Sequence, residues 1–179
     1  MPQLVEIKAK CSEPAEVQKL LLQHGAILQG RDHQVDHYYR VPNGRLKLRI
    51  GSIERSLIFY DRPNQAGPKD SLVRLCRLEA TGDEVPDTLH EVLQTALGEW
   101  QCVDKQREIY WADNVKLHVD EVQGLGHFVE IEAIGEDGAD RDVLEKQCRE
   151  WMKWLNIQPE DLLESSYSDM LQDVQDLPG

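Results

Sequence analysis

The chain has 179 residues, of which 40% are hydrophobic and 30% are charged, as expected for one globular domain rather than a disordered chain. Its net charge of −13 argues against general nucleic-acid binding, which usually needs a basic surface. The N-terminus has no apolar run of signal-peptide length, and no segment approaches the length needed to span a membrane. The four scattered cysteines lack metal-ligand spacing and indicate free thiols in a reducing compartment, so we expect a cytoplasmic protein.

Alternation of apolar and polar residues predicts a series of short strands along the chain. Turn signals separate them, including Pro42-Asn43-Gly44, Pro63-Asn64 and Gly124-Leu125-Gly126. In chain order, the predicted strands are Leu4–Lys10, His37–Arg40, Gly44–Ile50, Ser56–Arg62, Ser71–Ala80, Gln106–Trp111, Val115–Val122 and His127–Ala133.

Apolar residues at helical spacing predict three longer helices and a short fourth one. The polar tail Gln172–Gly179 is expected to be frayed. The whole pattern predicts an α+β protein with a single domain over residues 1–171 and mostly hairpin-connected antiparallel strands. The predicted helices run from Glu13 to His24, from Asp87 or Thr88 to Leu97, from about Asp140 to Leu155, and over a short stretch after Pro159.

Several predicted strands have one apolar face and one densely ionised face. In the segment GRLKLRI, Arg45, Lys47 and Arg49 share one face, and leucine and isoleucine side chains occupy the other. The same alternation gives further charged faces formed by Glu6, Lys8 and Lys10, by Lys105 and Arg107, by Lys116, His118 and Asp120, and by Glu130 and Glu132.

This pattern fits two arrangements of the sheet. The apolar face could pack on helices while the ionised face meets water, as in many antiparallel sheets. Alternatively, a curled sheet could turn its ionised faces inward around an anion. Three cations on one face of a single strand favour the second arrangement, because neighbouring like charges repel unless an anion neutralises them. Phosphate is the expected anion, since about six charge-assisted hydrogen bonds of roughly 1.5–3 kcal/mol each could hold a triphosphate even after desolvation.

Carboxylates on the same faces could bind a divalent cation beside such phosphates. Glu6, Asp120, Glu130 and Glu132 offer the hard oxygen ligands that Mg²⁺ or Mn²⁺ prefers. For Glu130 and Glu132, salt bridges to lysine and arginine across the sheet are an equally good explanation. The chain has no glycine-rich phosphate-binding loop, so a nucleotide would not bind at a helix N-terminus in the usual way.

These segments resemble the CYTH superfamily, whose members are also called triphosphate tunnel metalloenzymes. The family's ExExK strand corresponds to Glu6-Ile7-Lys8-Ala9-Lys10, and the similarity continues in the family's order from Val5 to Leu171. The resemblance is greatest to the branch of class IV adenylate cyclases and thiamine triphosphatases, and it implies an eight-stranded antiparallel β-barrel tunnel with helices packed outside. The further matching segments are HYYRVPNGRLKLRI, LIFYDRP, KLHVDEVQGLGHFVEIEA and SSYSDML.

The resemblance also implies a metal site. Glu6, Lys8, Glu130 and Glu132 would be catalytic residues, and the three glutamates would hold Mg²⁺ or Mn²⁺, with Asp120 as a further ligand. Lys8 departs from the family pattern, because it stands where a second acidic residue is expected. A cation cannot ligate a metal, so the sequence supports one ion more readily than two, and Lys8 could contact phosphate instead.

The remaining implied residues would contact the phosphate chain. His118 could act as a base, as a ligand or only as a structural histidine. Arg74 or Arg77 could add another contact, since the register of their strand is ambiguous. The implied triphosphate contacts are Lys10, Arg45, Lys47, Arg49, Arg62, Lys105, Arg107 and Lys116.

Three functions are consistent with the sequence. The first is metal-dependent hydrolysis of inorganic tripolyphosphate, a nucleoside triphosphate or thiamine triphosphate. The second is conversion of ATP to cyclic AMP and pyrophosphate by a class IV-type adenylate cyclase. The third is a polyphosphate- or nucleotide-binding module with little turnover. Neither nucleic acid nor a membrane is expected as a partner, and the sequence leaves the oligomeric state open.

Overall fold

The computed structural model describes residues 3–61, 69–70, 72–78, 82 and 84–176. Within these ranges the chain forms nine strands and four α-helices. The strands are β1 (Gln3–Lys10), β2 (Ile27–Tyr39), β3 (Arg45–Gly51), β4 (Ser56–Asp61), β5 (Lys69–Asp70), β6 (Leu72–Arg77), β7 (Glu99–Ala112), β8 (Val115–Val122) and β9 (Gly126–Gly135). The helices are α1 (Pro14–Gln23), α2 (Glu84–Leu97), α3 (Arg141–Trp154) and α4 (Tyr167–Gln175).

All these strands belong to one antiparallel sheet with the order β5-β1-β9-β8-β7-β2-β3-β4-β6. At one edge β5 pairs with β1, and at the other edge β6 pairs with β4. Because one residue separates β5 from β6 in the sequence, this segment of the chain joins the two edges of the sheet. The sheet is therefore curled into a tunnel of eight strands plus the two-residue β5, which confirms the predicted antiparallel barrel with helices outside.

The outer face of the tunnel is apolar where α1 and α3 cover it. Each fully buried leucine or isoleucine in this layer contributes about 1.5–3 kcal/mol. Side chains alternate across a strand, so burying one face against the helices directs the intervening polar residues into the tunnel. The layer includes Val5, Ile7, Leu117 and Ile131 of the sheet, Val17 and Leu21 of α1, and Leu144, Cys148 and Trp151 of α3.

Helix α4 packs against β7, and its first residue Tyr167 lines the tunnel cavity. It begins with a capping box in which Ser166 and Asp169 each accept a hydrogen bond from the other's backbone N–H. Tyr167 packs against Phe128 of β9, with ring centres 5.0 Å apart, inside a second apolar cluster. Arg45 of β3 donates two hydrogen bonds to Asp169, at 2.8 and 2.7 Å, and so ties α4 to the rim of the tunnel.

The predicted strands are confirmed with shifts at their ends, but β2 is much longer than predicted. Only His37–Arg40 was predicted there, whereas β2 has 13 residues and begins at Ile27. Its sequence ILQGRDHQVDHYY has polar residues on both faces, so the alternation of apolar and polar residues is lost. For the same reason β7 begins at Glu99, seven residues before the predicted Gln106.

The first three helices differ from prediction only at their ends, whereas the short helix predicted after Pro159 is a 3-10 turn over Pro159–Asp161, and α4 begins at Tyr167. Helix α2 begins at Glu84 rather than at Asp87 or Thr88. Helix α4 continues to Gln175, four residues into the segment predicted as a frayed tail. Arg62 and the predicted turn at residues 63–64 lie outside the described residues. No helix in the described ranges is long and apolar enough to cross a membrane.

Candidate active site

The tunnel contains a cavity of about 190 Å³ whose wall is largely ionisable. Among the described residues, seven lysines and arginines but only five carboxylates line it. The whole chain carries a net charge of −13, so this cavity concentrates positive charge inside an acidic protein. The ionisable lining consists of Glu6, Lys8, Asp36, Lys47, Arg49, Glu54, Arg77, Lys105, Arg107, Lys116, His118, Glu130 and Glu132.

Three cations of the lining converge on the carboxylate of Asp36 in β2. Lys47 Nζ and Lys105 Nζ lie 2.9 and 2.8 Å from Oδ2, and Arg49 binds both oxygens at 2.8 and 3.0 Å. Asp36 itself is only 1% exposed. Burial alone would raise the pKa of Asp36, but the charges of Arg49, Lys105 and Lys47 hold it well below its ordinary value. Asp36 is therefore ionised and holds the three cations in fixed positions.

Glu54, in the turn between β3 and β4, is a second carboxylate that holds cations of the wall in fixed positions. Its Oε1 accepts a hydrogen bond from Lys116, and its Oε2 accepts bonds from Arg49 and Gln34 at 3.1 Å each. Burial opposes ionisation of Glu54, yet Arg49 and Lys116 lower its pKa. Because β3 and β8 are not neighbours in the sheet, this one carboxylate links cations from separate parts of the wall.

Arg107 of β7 is held by two carboxylates at once. It donates to Asp120 at 2.7 and 2.6 Å through Nε and Nη2, and Nη2 also donates to Glu130 at 2.7 Å. Asp120 also accepts a 2.7 Å hydrogen bond from the hydroxyl of Tyr167, and it is not among the residues that line the cavity. Through these contacts Asp120 holds the guanidinium group of Arg107 in place. The role of Asp120 as a metal ligand stays a prediction.

Lys8 is buried in the wall and neutralises a carboxylate of β9, the adjacent strand in the sheet. Its Nζ lies 2.6 Å from Glu130 Oε1 and 3.5 Å from the centre of the Tyr167 ring, and its side chain is 5% exposed. Burial opposes ionisation of Glu130, but Lys8 and Arg107 hold the pKa of Glu130 well below its ordinary value. Where the family pattern has a second acidic residue, this chain therefore has an ammonium group paired with Glu130.

The most acidic part of the wall lies across β1, β9 and β8. Glu6 and Glu132 are directly opposite each other on β1 and β9, and His118 of β8 is opposite Glu130. One donor atom from each of His118, Glu130 and Glu132 lies within 4.8 Å of the others. His118 Nδ1 is 3.3 Å from Glu130 Oε2, whereas its buried Nε2 has no hydrogen-bond partner among the described residues.

This part of the wall fits one divalent cation. Two directly opposed carboxylates repel each other, and a cation bound between Glu6 and Glu132 would relieve that repulsion with the oxygen ligands that Mg²⁺ and Mn²⁺ prefer. Lys8 already occupies Oε1 of Glu130, which limits the charge that a second ion could add. Burial, and then the charge of Arg107, lower the pKa of His118, so its imidazole is neutral at physiological pH.

The structure brings most of the predicted phosphate contacts into one cavity. Lys10 is exposed at the end of β1 and outside the lining, and Arg45 is engaged at the rim by the first turn of α4. Arg62 lies outside the described residues. Arg77 lines the cavity, whereas Arg74 is not part of its lining. The predicted contacts found in the lining are Lys47, Arg49, Lys105, Arg107 and Lys116.

The anchoring carboxylates were missed in the sequence. From Asp32 to Asp36, every second position of β2 carries a buried polar residue, namely Asp32, Gln34 and Asp36. This regular spacing of polar residues is the sequence signal that could have revealed Asp36. Asp32 accepts hydrogen bonds from the backbone N–H groups of Ile53 and Glu54 at 2.8 and 2.9 Å. It thereby fixes the turn that carries Glu54.

A curled antiparallel sheet with an ionised interior defines a β-tunnel protein. The chain belongs to the CYTH domain family, whose model matches residues 3–167. A protein of Methanocaldococcus jannaschii named as a candidate adenylate cyclase, MJ0240, is 32% identical over 68 residues. That match covers 38% of this chain and 39% of the relative, so it spans about two fifths of the curated relative.

Solved structures share the fold at low sequence identity. The PH1012 protein of Pyrococcus horikoshii has a TM-score of 0.78 at 19% identity, covering 93% of this chain and 98% of that chain. HpAC1 from Hippeastrum, described as a candidate adenylyl cyclase with a dominant triphosphatase activity, has a TM-score of 0.63 at 16% identity. That similarity covers 99% of this chain and 98% of HpAC1. At these identities the likeness establishes the fold alone.

Proposed function

We propose that the protein hydrolyses a triphosphate-containing small molecule in a reaction that depends on Mg²⁺ or Mn²⁺. The observation that carries the proposal is the cavity, where lysine and arginine outnumber carboxylates although the whole chain is strongly acidic. A phosphate chain would neutralise this local excess of positive charge. Membership of the CYTH domain family and the triphosphatase activity described for HpAC1 support the same class of reaction.

The anchored cations would bind the phosphate chain. Lys47, Arg49 and Lys105 are held together on Asp36, and each charge-assisted hydrogen bond to phosphate would contribute about 1.5–3 kcal/mol. Because Asp36 and Glu54 fix the cations before substrate arrives, binding avoids much of the roughly 0.5–1.5 kcal/mol otherwise lost for each immobilised side chain. Such preorganised charges also stabilise the charge that develops during phosphoryl transfer.

Glu6 and Glu132, with Glu130 beside them, would hold the divalent cation. When bound, such a cation polarises a phosphoryl oxygen and neutralises developing negative charge. Lys8 places a fixed positive charge on the same wall, so we expect one ion rather than two.

In the proposed reaction, a water oxygen bonds to the terminal phosphorus while the bond from that phosphorus to the bridging oxygen breaks. The products are orthophosphate and a shortened phosphate chain, and the bridging electrons leave with the latter. A neutral His118, whose Nδ1 lies 3.3 Å from Glu130 Oε2, would be the base that accepts the proton that the water releases. Arg107 and the cations on Asp36 stabilise charge on the departing bridging oxygen.

The size of the cavity favours hydrolysis over cyclisation. Its volume of about 190 Å³ is below the roughly 300–1,000 Å³ typical of pockets that enclose whole organic ligands. A phosphate chain fits such a space, whereas cyclisation of ATP requires the ribose to be held so that its hydroxyl attacks the α-phosphate. The match to the Methanocaldococcus jannaschii protein makes cyclase activity the second candidate.

Product analysis with a variant of Arg49 tests the proposal. Purified protein is incubated with tripolyphosphate, ATP or thiamine triphosphate, each with Mg²⁺ or Mn²⁺. We expect orthophosphate release, and Arg49→Ala should lower kcat/KM by roughly 10- to 100-fold for every substrate, from the loss of about 1.5–3 kcal/mol. Arg149→Ala, on the exposed face of α3, is the matched control and should retain full activity.

The other products would overturn the proposal in different ways. Cyclic AMP from ATP without orthophosphate would establish the cyclase. Tight binding of tripolyphosphate with no product would indicate a binding module. Equal activity of Arg49→Ala and Arg149→Ala would show that the phosphate chain does not bind on these cations.

A further inference from the structure

A second group of metal-ligand side chains lies outside the tunnel, on β2 and β7. His37 and Cys102 are directly opposite each other on these two strands. Their inner neighbours Asp36 and Val103 are buried, whereas Cys102 is exposed, so both side chains belong to the outer face. Glu99, at the start of β7, accepts a 2.7 Å hydrogen bond from His37 Nδ1. One donor atom from each of His37, Glu99 and Cys102 lies within 4.8 Å of the other two.

Helix α2 adds a second imidazole above this group. The ring centre of His90 is 3.9 Å from that of His37. His90 Nδ1 is 2.7 Å from the hydroxyl of Tyr39, a contact that orients the ring. Metal-bound histidines are usually oriented by a hydrogen bond of this kind at the other ring nitrogen.

The surroundings of the group are negatively charged. Asp87 and Glu91 of α2 act electrostatically on His90, and Asp104 acts on Cys102 from the same strand. These carboxylates favour a bound cation. The group therefore combines suitable ligand atoms, close spacing and a favourable field.

We propose that His37, Glu99 and Cys102, with His90 as the fourth donor, bind Zn²⁺ on the outside of the tunnel. Imidazole nitrogen, thiolate sulfur and carboxylate oxygen are the donors that zinc takes in tetrahedral sites. The thiolate disfavours Mg²⁺ and Mn²⁺, which prefer oxygen ligands, so this site and the tunnel site select different ions. Because its ligands come from two strands and a helix, the zinc ion clamps α2 onto the β2–β7 pair and stabilises the fold.

Cobalt substitution tests the site through its sulfur ligand. Co²⁺ is titrated into the metal-free protein while the near-ultraviolet thiolate-to-cobalt charge-transfer absorption is recorded, and Zn²⁺ is then added to displace the cobalt. We expect the band to saturate at one equivalent of Co²⁺ and to disappear on addition of Zn²⁺. The wall of the tunnel cavity contains no cysteine among its described residues, so the band reports on the outer site even if the proposed hydrolase activity is absent.

Four variants identify the ligands. Cys102→Ser should abolish the band, and Cys76→Ser, which removes the exposed thiol of β6, should retain it. His37→Ala and His90→Gln should keep the band but weaken Zn²⁺ binding at least about tenfold. Zn²⁺ should raise the melting temperature of the wild type but not that of Cys102→Ser. The proposal is overturned if the wild type gives no band, if Cys102→Ser retains it, or if Cys76→Ser loses it.

Discussion

Replacing Asp36 by asparagine removes the charge on which three cations of the tunnel converge. Lys47, Arg49 and Lys105 all lie within 3.0 Å of this carboxylate, which is 1% exposed. Removing one partner of a buried ion pair costs about 3–5 kcal/mol, because the remaining charges stay buried without compensation. For a chain of this length, each kcal/mol lowers the melting temperature by roughly 2–4 °C, so we expect a fall of about 6–20 °C.

The expected loss is measured by thermal unfolding with and without tripolyphosphate. The anion replaces the missing negative charge, so it should raise the melting temperature of Asp36→Asn more than that of the wild type. Asp104→Asn is the control: this carboxylate is 42% exposed and pairs with His33, so its replacement should cost less than about 1 kcal/mol. If both variants unfold at the same temperature, the cations do not depend on Asp36 and the reasoning is refuted.

Three further substitutions test the wall of the tunnel. Glu132→Gln should abolish metal-dependent turnover and leave the fold intact; unchanged activity would exclude Glu132 as a ligand. Lys8→Glu should destabilise the protein by placing like charges beside Glu130, and Mn²⁺ should restore more stability than in the wild type, as a melting curve would show. Burial lowers the pKa of Lys105 to about 7, against about 10.4 in an unfolded chain, so the unfolded state binds more protons between these values. In denaturant titrations, the free energy of unfolding of the wild type minus that of Lys105→Met should therefore rise by up to about 1.4 kcal/mol per pH unit above pH 7. The same pH dependence of unfolding in both proteins would contradict this.

The charged faces of the tunnel could be predicted from the sequence because several strands alternate apolar and charged residues, and the resemblance to the CYTH superfamily implied that these faces line a tunnel. In β3, β8 and β9 the apolar positions pack on helices or on apolar clusters, and the charged positions then have to face inward. The cations Lys47, Arg49 and Lys116 were found for this reason. Closure through β5 and β6 depends on pairing between distant segments, which alternation alone does not encode.

The anchoring carboxylates could not be predicted by the same argument. Asp36 lies in a strand whose two faces are both polar, and Glu54 lies in a turn, where alternation carries no information. Their roles depend on contacts with residues far away in the sequence, such as Lys105 with Asp36 and Lys116 with Glu54. The pairing of Lys8 with Glu130 likewise depends on the register of β1 against β9.

Hydrolysis of tripolyphosphate in water labelled with heavy oxygen tests the central claim most directly. The proposed attack at the terminal phosphorus predicts that, with Mg²⁺ or Mn²⁺ present, phosphorus NMR shows orthophosphate and diphosphate in equal amounts, with the label only in orthophosphate. Addition of a chelator should stop the reaction. Unchanged tripolyphosphate under all these conditions, or label in diphosphate alone, would contradict the account.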